Sequence, residues 1–149
     1  MNNPYLEMRG RQQKAVNDYL SKYAFFAFNE RQFSEGLEKL KIDESDAPSL
    51  ICGIGCGGYV LKSHSAGLWE LLESNKKELR DAWEDPDTGE DFAYKMLRYE
   101  LDNHEFCITY DEEETLDALG LAWDDVKACA NLAHGLRRAT REILERGTM

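Results

Sequence analysis

Apolar residues recur every three or four positions along much of this chain, which is the spacing of amphipathic helices. The clearest stripe runs from Leu68 to Trp83 and predicts a helix over residues 66–83, which ends at the turn-forming residues Asp85–Gly89. Asn29 is a good helix cap, and Gln32 stands three residues later, so we expect another helix to begin at Asn29. Similar patterns predict further helices over residues 5–22, 90–103, 111–120, 124–129 and 132–147.

Three short segments have the composition of strands rather than helices. Tyr23–Phe28 is an aromatic run, Tyr59–Lys62 is short and apolar, and Glu105–Tyr110 alternates large apolar residues with smaller ones. Residues 41–58 are rich in glycine and turn-forming residues and are expected to form a loop, although Leu50–Cys52 could pair briefly with a strand.

These elements predict the fold class: an α+β, mainly helical single domain over residues 1–149 with a small, three-stranded antiparallel sheet. The helices over residues 66–83 and 90–103 are expected to cover the sheet. The predicted core consists of Phe26, Phe28, Phe33, Leu37, Leu68, Leu71, Leu72, Leu79, Phe92, Met96, Leu116, Leu119 and Leu136.

Composition narrows the class of protein. Hydrophobic residues make up 42% and aromatic residues 11% of the chain, which is too apolar for a disordered protein. No apolar run is long enough to span a membrane, and residues 1–10 lack the apolar stretch of a secretory signal. We therefore expect a cytoplasmic protein that does not enter membranes.

Charge is the strongest feature of the composition, because 29 acidic and 18 basic residues give a formal net charge of -11. No Lys or Arg occurs between Arg98 and Lys127. Such a surface repels phosphate, so we do not expect direct nucleic-acid binding. We expect a basic protein partner instead. The alternative is a solvated surface that only keeps the protein soluble. The expected partner-binding residues, called here the acidic segment, are Asp111, Glu112, Glu113, Glu114, Asp117, Asp124 and Asp125.

The segment Gly53–Gly58 has the G-x-G-x-x-G spacing of phosphate-binding loops. A dinucleotide-binding fold needs a helix directly after the third glycine, whereas Tyr59–Leu61 has the composition of a strand. We therefore expect a glycine-rich turn that leads into a strand, and no cofactor.

Cysteine and histidine could form a metal site or a reactive thiol. Only Cys52 and Cys56 are closely spaced, whereas Cys107, Cys129 and the three histidines are scattered, so we expect no metal site. We expect the cysteines to be reduced, buried thiols. His104 is expected to end the helix before it. The leading expectation is a non-enzymatic protein. The alternative is a small-molecule or thiol enzyme that uses the Gly53–Gly58 loop with Cys56 and His104 as catalytic residues.

Three stretches carry a resemblance to a known group of proteins: residues 25–37, Gly57–Val60, and Asn103–Tyr110 continuing into Thr115–Leu121. Together they resemble a family of small uncharacterised proteins carried by phages and mobile elements of gut-dwelling anaerobic bacteria. The resemblance covers most of the chain, and Ala122 departs from the Thr or Ser expected before the next helix. It implies a cytosolic accessory role in an element's interaction with its host. It implies no activity, cofactor or catalytic residue, and the oligomeric state is left open.

Overall fold

The structure is a computed structural model that describes residues 3–147, without the side chains of residues 107, 108 and 147. It confirms an α+β, mainly helical fold with one small three-stranded antiparallel sheet. Residues Glu44–Asp46 form a 3₁₀ turn. In chain order the elements are α1 Pro4–Tyr23, β1 Ala24–Phe26, α2 Glu30–Lys39, α3 Ala47–Leu50, β2 Ile51–Gly55, β3 Gly58–Leu61, α4 Lys62–Glu84, α5 Gly89–Asn103, α6 Phe106–Thr109, α7 Glu113–Ala118, α8 Trp123–Ala128 and α9 Ala130–Gly147.

The chain forms two compact units. The helical unit contains residues 3–9 and 77–147, and the sheet unit contains residues 10–76. The expectation of a single domain over residues 1–149 stays a prediction. No helix within residues 3–147 is both long enough and apolar enough to cross a membrane.

In the sheet unit, β3 lies between β1 and β2 and pairs antiparallel with both. Phe25 is opposite Tyr59 in the β1–β3 register, and the two rings stack with centroids 5.4 Å apart. The Phe25 ring also lies against the backbone of α2, because a Cβ placed on Gly36 would be 2.0 Å from Phe25 Cδ2. Helix α2 therefore packs on this face of the sheet. The expectation that the helices over residues 66–83 and 90–103 cover the sheet stays a prediction.

The helical unit has a core of its own, centred on the packing of α5 against α9. Gly135 of α9 permits a close approach, since a Cβ there would lie 2.8 Å from the backbone nitrogen of Tyr94. The side chains that fill this core almost without solvent exposure are Ala93, Met96, Leu97, Leu101, Leu116, Leu132 and Ala139.

Local capping chemistry is confirmed at two of the predicted boundaries. Asn29 Oδ1 accepts a hydrogen bond from the backbone N–H of Gln32 at 2.8 Å, and Gln32 Oε1 accepts one from the N–H of Phe28 at 2.7 Å. After α4, Asp85 Oδ1 accepts from the N–H groups of Asp87 and Thr88. These backbone hydrogen bonds lower the pKa of Asp85, because they favour its ionised form.

The predicted strand at Glu105–Tyr110 is wrong, because this segment forms the single helical turn α6. Glu105 and Tyr110, on either side of it, have left-handed φ values of 59° and 57°. Phe106 is buried in the helical core, and its ring meets that of Tyr110 one turn later, at 6.3 Å. The side chains of Cys107 and Ile108, which belong to the alternating pattern, lie outside the described residues. The third strand is instead β2, inside the predicted loop.

The predicted core is partly confirmed. Phe26 and Phe28 are wrong, because they are 50% and 76% exposed. Phe26 follows Phe25 in an edge strand, so it points to the face opposite α2. The buried members are Leu37, Leu68, Phe92, Met96, Leu116 and Leu136. The half-buried members are Phe33, Leu71, Leu72, Leu79 and Leu119.

Candidate functional site

The acidic segment lies on the loop before α7, on α7 and at the start of α8. Six of its carboxylate residues are exposed, and Glu112 is half-buried. Two members also hold the backbone: Asp111 Oδ1 accepts from the N–H of Glu113, and Asp125 Oδ2 accepts from the N–H of Ala122, both at 2.9 Å. These two carboxylates therefore order the starts of α7 and α8.

The apolar positions between the acids explain why the acids face solvent. Leu116, Leu121 and Val126 are buried in the core of the helical unit, and Thr115 is fully buried beside them. Gly120, with φ of 72°, turns the chain after α7 so that the N–H of Leu121 donates to the carbonyl oxygen of Leu116 at 2.8 Å. Burial of one side of this short segment directs its carboxylates outward.

Within residues 3–147, no Lys or Arg forms an ion pair with any of the seven carboxylates. The imidazole of His104 contacts the segment, since its Nδ1 lies 3.7 Å from Glu114 Oε1. The described part of the chain therefore leaves most of the charge of the acidic segment without an ion pair.

His104 is the C-terminal cap of α5, as its position in the sequence predicts, and its backbone N–H donates to the carbonyl oxygen of Glu100 at 3.0 Å. Its Nε2 lies 3.7 Å from Glu100 Oε2, so the half-buried imidazole stands between a buried and an exposed carboxylate. Both distances are too long for hydrogen bonds.

Glu100 is a feature that sequence reasoning missed. It is 5% exposed, and its Oε1 has no hydrogen-bond partner among the described residues. Burial, and then the Glu100 carboxylate, raise the pKa of the Tyr5 hydroxyl. The only sign of this cluster in the sequence is the spacing of Glu100 and His104, which places the two side chains on one face of a helix.

Cys56 lies in the turn between β2 and β3, which confirms the glycine-rich turn leading into a strand. Cys56 and Gly57 both have positive φ, 51° and 77°, as in the two-residue turns that join antiparallel strands. Cys56 belongs to the sheet unit and His104 to the helical unit. The thiol-enzyme alternative therefore stays a prediction.

The other metal and thiol candidates have individual surroundings. Among the side chains that the structure describes, no group of three His, Cys, Asp or Glu residues could hold a metal ion. The ring of His64 stacks on that of Tyr23 at 3.8 Å. The expectation of buried thiols is wrong for Cys56, which is exposed, while Cys52 and Cys129 are half-buried and the side chain of Cys107 is outside the described residues.

Comparison with known proteins gives a family but no activity. No curated protein and no solved structure matches the chain. A model described as a family of unknown function, DUF7659, matches residues 4–142. Since this match spans nearly the whole chain, the protein belongs to this family of unknown function.

Proposed function

We propose that this protein is a non-enzymatic, cytoplasmic accessory protein of a phage or mobile element, and that its acidic segment binds a basic host protein. One observation carries the proposal: six of the seven acids are exposed, and no Lys or Arg of the described chain pairs with any of the seven. The resemblance to proteins of phages and mobile elements supports the setting.

A surface with several unpaired carboxylates has a negative potential that speeds the approach of a cationic partner. A host nuclease or another nucleic-acid-binding protein has a cationic groove that binds phosphates. The acidic segment would occupy this groove in place of the phosphates. The interaction would weaken as salt rises, because charges are screened over about 10 Å at 0.1 M ionic strength.

The variant that tests this uses acids with no role in holding the backbone. Glu113, Asp117 and Asp124 are exposed and their carboxylates bind no backbone N–H in the described chain, unlike those of Asp111 and Asp125. The acidic-segment variant is therefore Glu113→Gln, Asp117→Asn and Asp124→Asn. The matched control changes net charge equally at exposed acids elsewhere: Glu7→Gln, Glu38→Gln and Glu70→Gln.

Tagged wild-type protein and both variants are isolated from the cells that naturally produce the chain, and co-purifying proteins are identified by mass spectrometry. We expect a basic partner with wild type and with the control, and its loss with the acidic-segment variant. Stopped-flow association of the purified pair should slow as salt rises. If every partner binds all three proteins equally and is insensitive to salt, the acidic segment is only a solubilising surface.

A further inference from the structure

A second surface, in the sheet unit, has the chemistry of a site for an organic cation. An open cleft of about 670 Å³ is lined by the rings of Phe28, Phe33 and Tyr59 and by the carboxylate residues Glu30 and Glu44. We propose that this cleft binds a quaternary ammonium, ammonium or guanidinium group. The proposal is independent of the acidic segment, which belongs to the other unit.

The aromatic rings of the cleft are fixed by the fold. Phe33 and Tyr59 meet edge to face with centroids 5.2 Å apart, and both contact the buried Phe25 ring. Phe28 is different, because it is 76% exposed and lies over the hairpin turn, where a Cβ on Gly57 would be 2.6 Å from Phe28 Cε1. The fold thus holds two rings in the wall of the cleft and a third at its open edge.

Phe28 stands immediately before the Asn29 cap of α2, and Phe33 is the fourth residue of that helix. Apolar residues at these two positions often pack together and close the entry to a helix. Here the high exposure of Phe28 shows that this closure is incomplete. An exposed aromatic face beside carboxylates is an attractive surface for a cation, because the face of the ring is electron-rich.

The local charges favour a cation over an anion. The N-terminus of α2 contributes roughly half a positive charge, whereas Glu30 and Glu44 together contribute two negative charges. No Lys or Arg lines the cleft among the described residues. The nearby Arg31 pairs with Glu35, and Lys39 Nζ donates to the carbonyl oxygen of Ala24.

Glu44 is positioned by a hydrogen bond at the rim, since Ser34 Oγ donates to its Oε1 at 3.2 Å. A cation in the cleft would have both aromatic rings and carboxylate oxygens around it. This is the combination by which proteins recognise quaternary ammonium groups.

The test compares choline with its neutral isostere 3,3-dimethyl-1-butanol, following the Phe28, Phe33 and Tyr59 ring signals of the full chain by NMR at constant ionic strength. We expect saturable choline binding, with a dissociation constant about tenfold below that of the alcohol. Equal affinity for the two probes, or no saturable binding of choline, would overturn the proposal.

Variants of the protein then test whether choline binds in the cleft. Phe28→Leu should weaken choline binding about two- to fivefold, the loss expected for one exposed cation–π contact. The matched control is Phe26→Leu, a change at another exposed Phe that does not line the cleft. Since both side chains are exposed, circular dichroism should show that both variants fold. If the two variants bind choline equally, the cleft is not the site.

A second pair tests the carboxylate. Glu44→Gln should weaken choline binding about twofold or more, whereas Glu38→Gln, which removes the same charge outside the cleft, should not. Equal effects of the two changes would mean that net charge alone attracts choline, and would overturn the site.

Short amidated peptides with a central trimethyllysine, lysine or arginine distinguish the sources of the cation. Peptide affinity equal to or above that of choline indicates the side chain of a protein, and higher affinity for choline indicates a free small molecule. Either result supports the cation site, and a lack of saturable choline binding overturns it without bearing on the acidic segment.

Discussion

The packing of α5 against α9 can be tested by adding one methyl group. A Cβ on Gly135 would lie 2.8 Å from the backbone nitrogen of Tyr94 and 3.0 Å from the carbonyl carbon of Ala93, and neither backbone atom can move without shifting α5. Gly10, in α1, is the matched control because a Cβ there meets nothing within 4 Å. We predict that Gly135→Ala lowers stability and Gly10→Ala raises it.

The magnitude follows from two opposing effects. Replacing Gly by Ala inside a helix stabilises it by about 1 kcal/mol, and this gain applies at both positions. Overpacking a tight core costs about 1–3 kcal/mol, and this cost applies only at Gly135. The two variants should therefore differ by about 1–3 kcal/mol in their free energy of unfolding, with Gly135→Ala less stable than wild type by up to about 2 kcal/mol.

Urea unfolding followed by far-ultraviolet circular dichroism measures both variants. Tryptophan fluorescence adds a local reading, since Trp83 is buried in the same core as the α5–α9 contact. If Gly135→Ala is as stable as Gly10→Ala, the two helices do not approach each other as closely as the structure shows.

Three further predictions concern single side chains. The pKa of Glu142 is lowered chiefly by the hydrogen bond that Tyr94 Oη donates, so its stabilisation is present above the unfolded pKa of about 4.5 and is lost as pH falls below it. Tyr94→Phe should therefore cost about 1 kcal/mol at pH 7, a value discounted for the exposure of Glu142, and should flatten the loss of melting temperature in acid. The raised pKa of Tyr5 predicts stabilisation that is present below pH 10 and lost above it, so Tyr5→Phe should flatten the alkaline fall in urea midpoint. Cys56→Asn should stabilise the hairpin by about 1 kcal/mol in thermal unfolding, because Asn tolerates positive φ; an unchanged or lower melting temperature would contradict this.

Features that depend on a few neighbouring residues could be predicted from the sequence. The Asn29 cap, the Asp85 turn and the hairpin turn at Cys56 each rest on hydrogen bonds or backbone angles within five residues. The long helices are confirmed for the same reason, since a repeated apolar stripe specifies a helix over several turns. The exposure of the acids also follows from local pattern, because Leu116 and Leu121 take the inward positions.

Strand assignment failed where the choice depended on a partner. Glu105–Tyr110 has alternating residues, but six residues also allow one helical turn, and Phe106 reaches the helical core in that conformation. Ile51–Gly55 has little strand propensity, since it contains two glycines, yet it pairs with β3 through the tight turn that follows it. In both segments pairing or packing with distant residues decided the structure, and no local pattern encodes that choice.

The cleft could not be found from the sequence, because its chemistry comes from three separated places: the segment from Phe28 through the first turns of α2, Glu44 and Tyr59. Its best indication was also misleading. The aromatic run Tyr23–Phe28 predicts a buried strand and places Phe28 in the core, whereas the structure leaves Phe28 exposed. Leaving a large aromatic ring in solvent forgoes about 1.5–3 kcal/mol of burial. Folding alone does not compensate for that loss, whereas a ligand seated against the ring would bury it. The choline experiment therefore depends on Phe28.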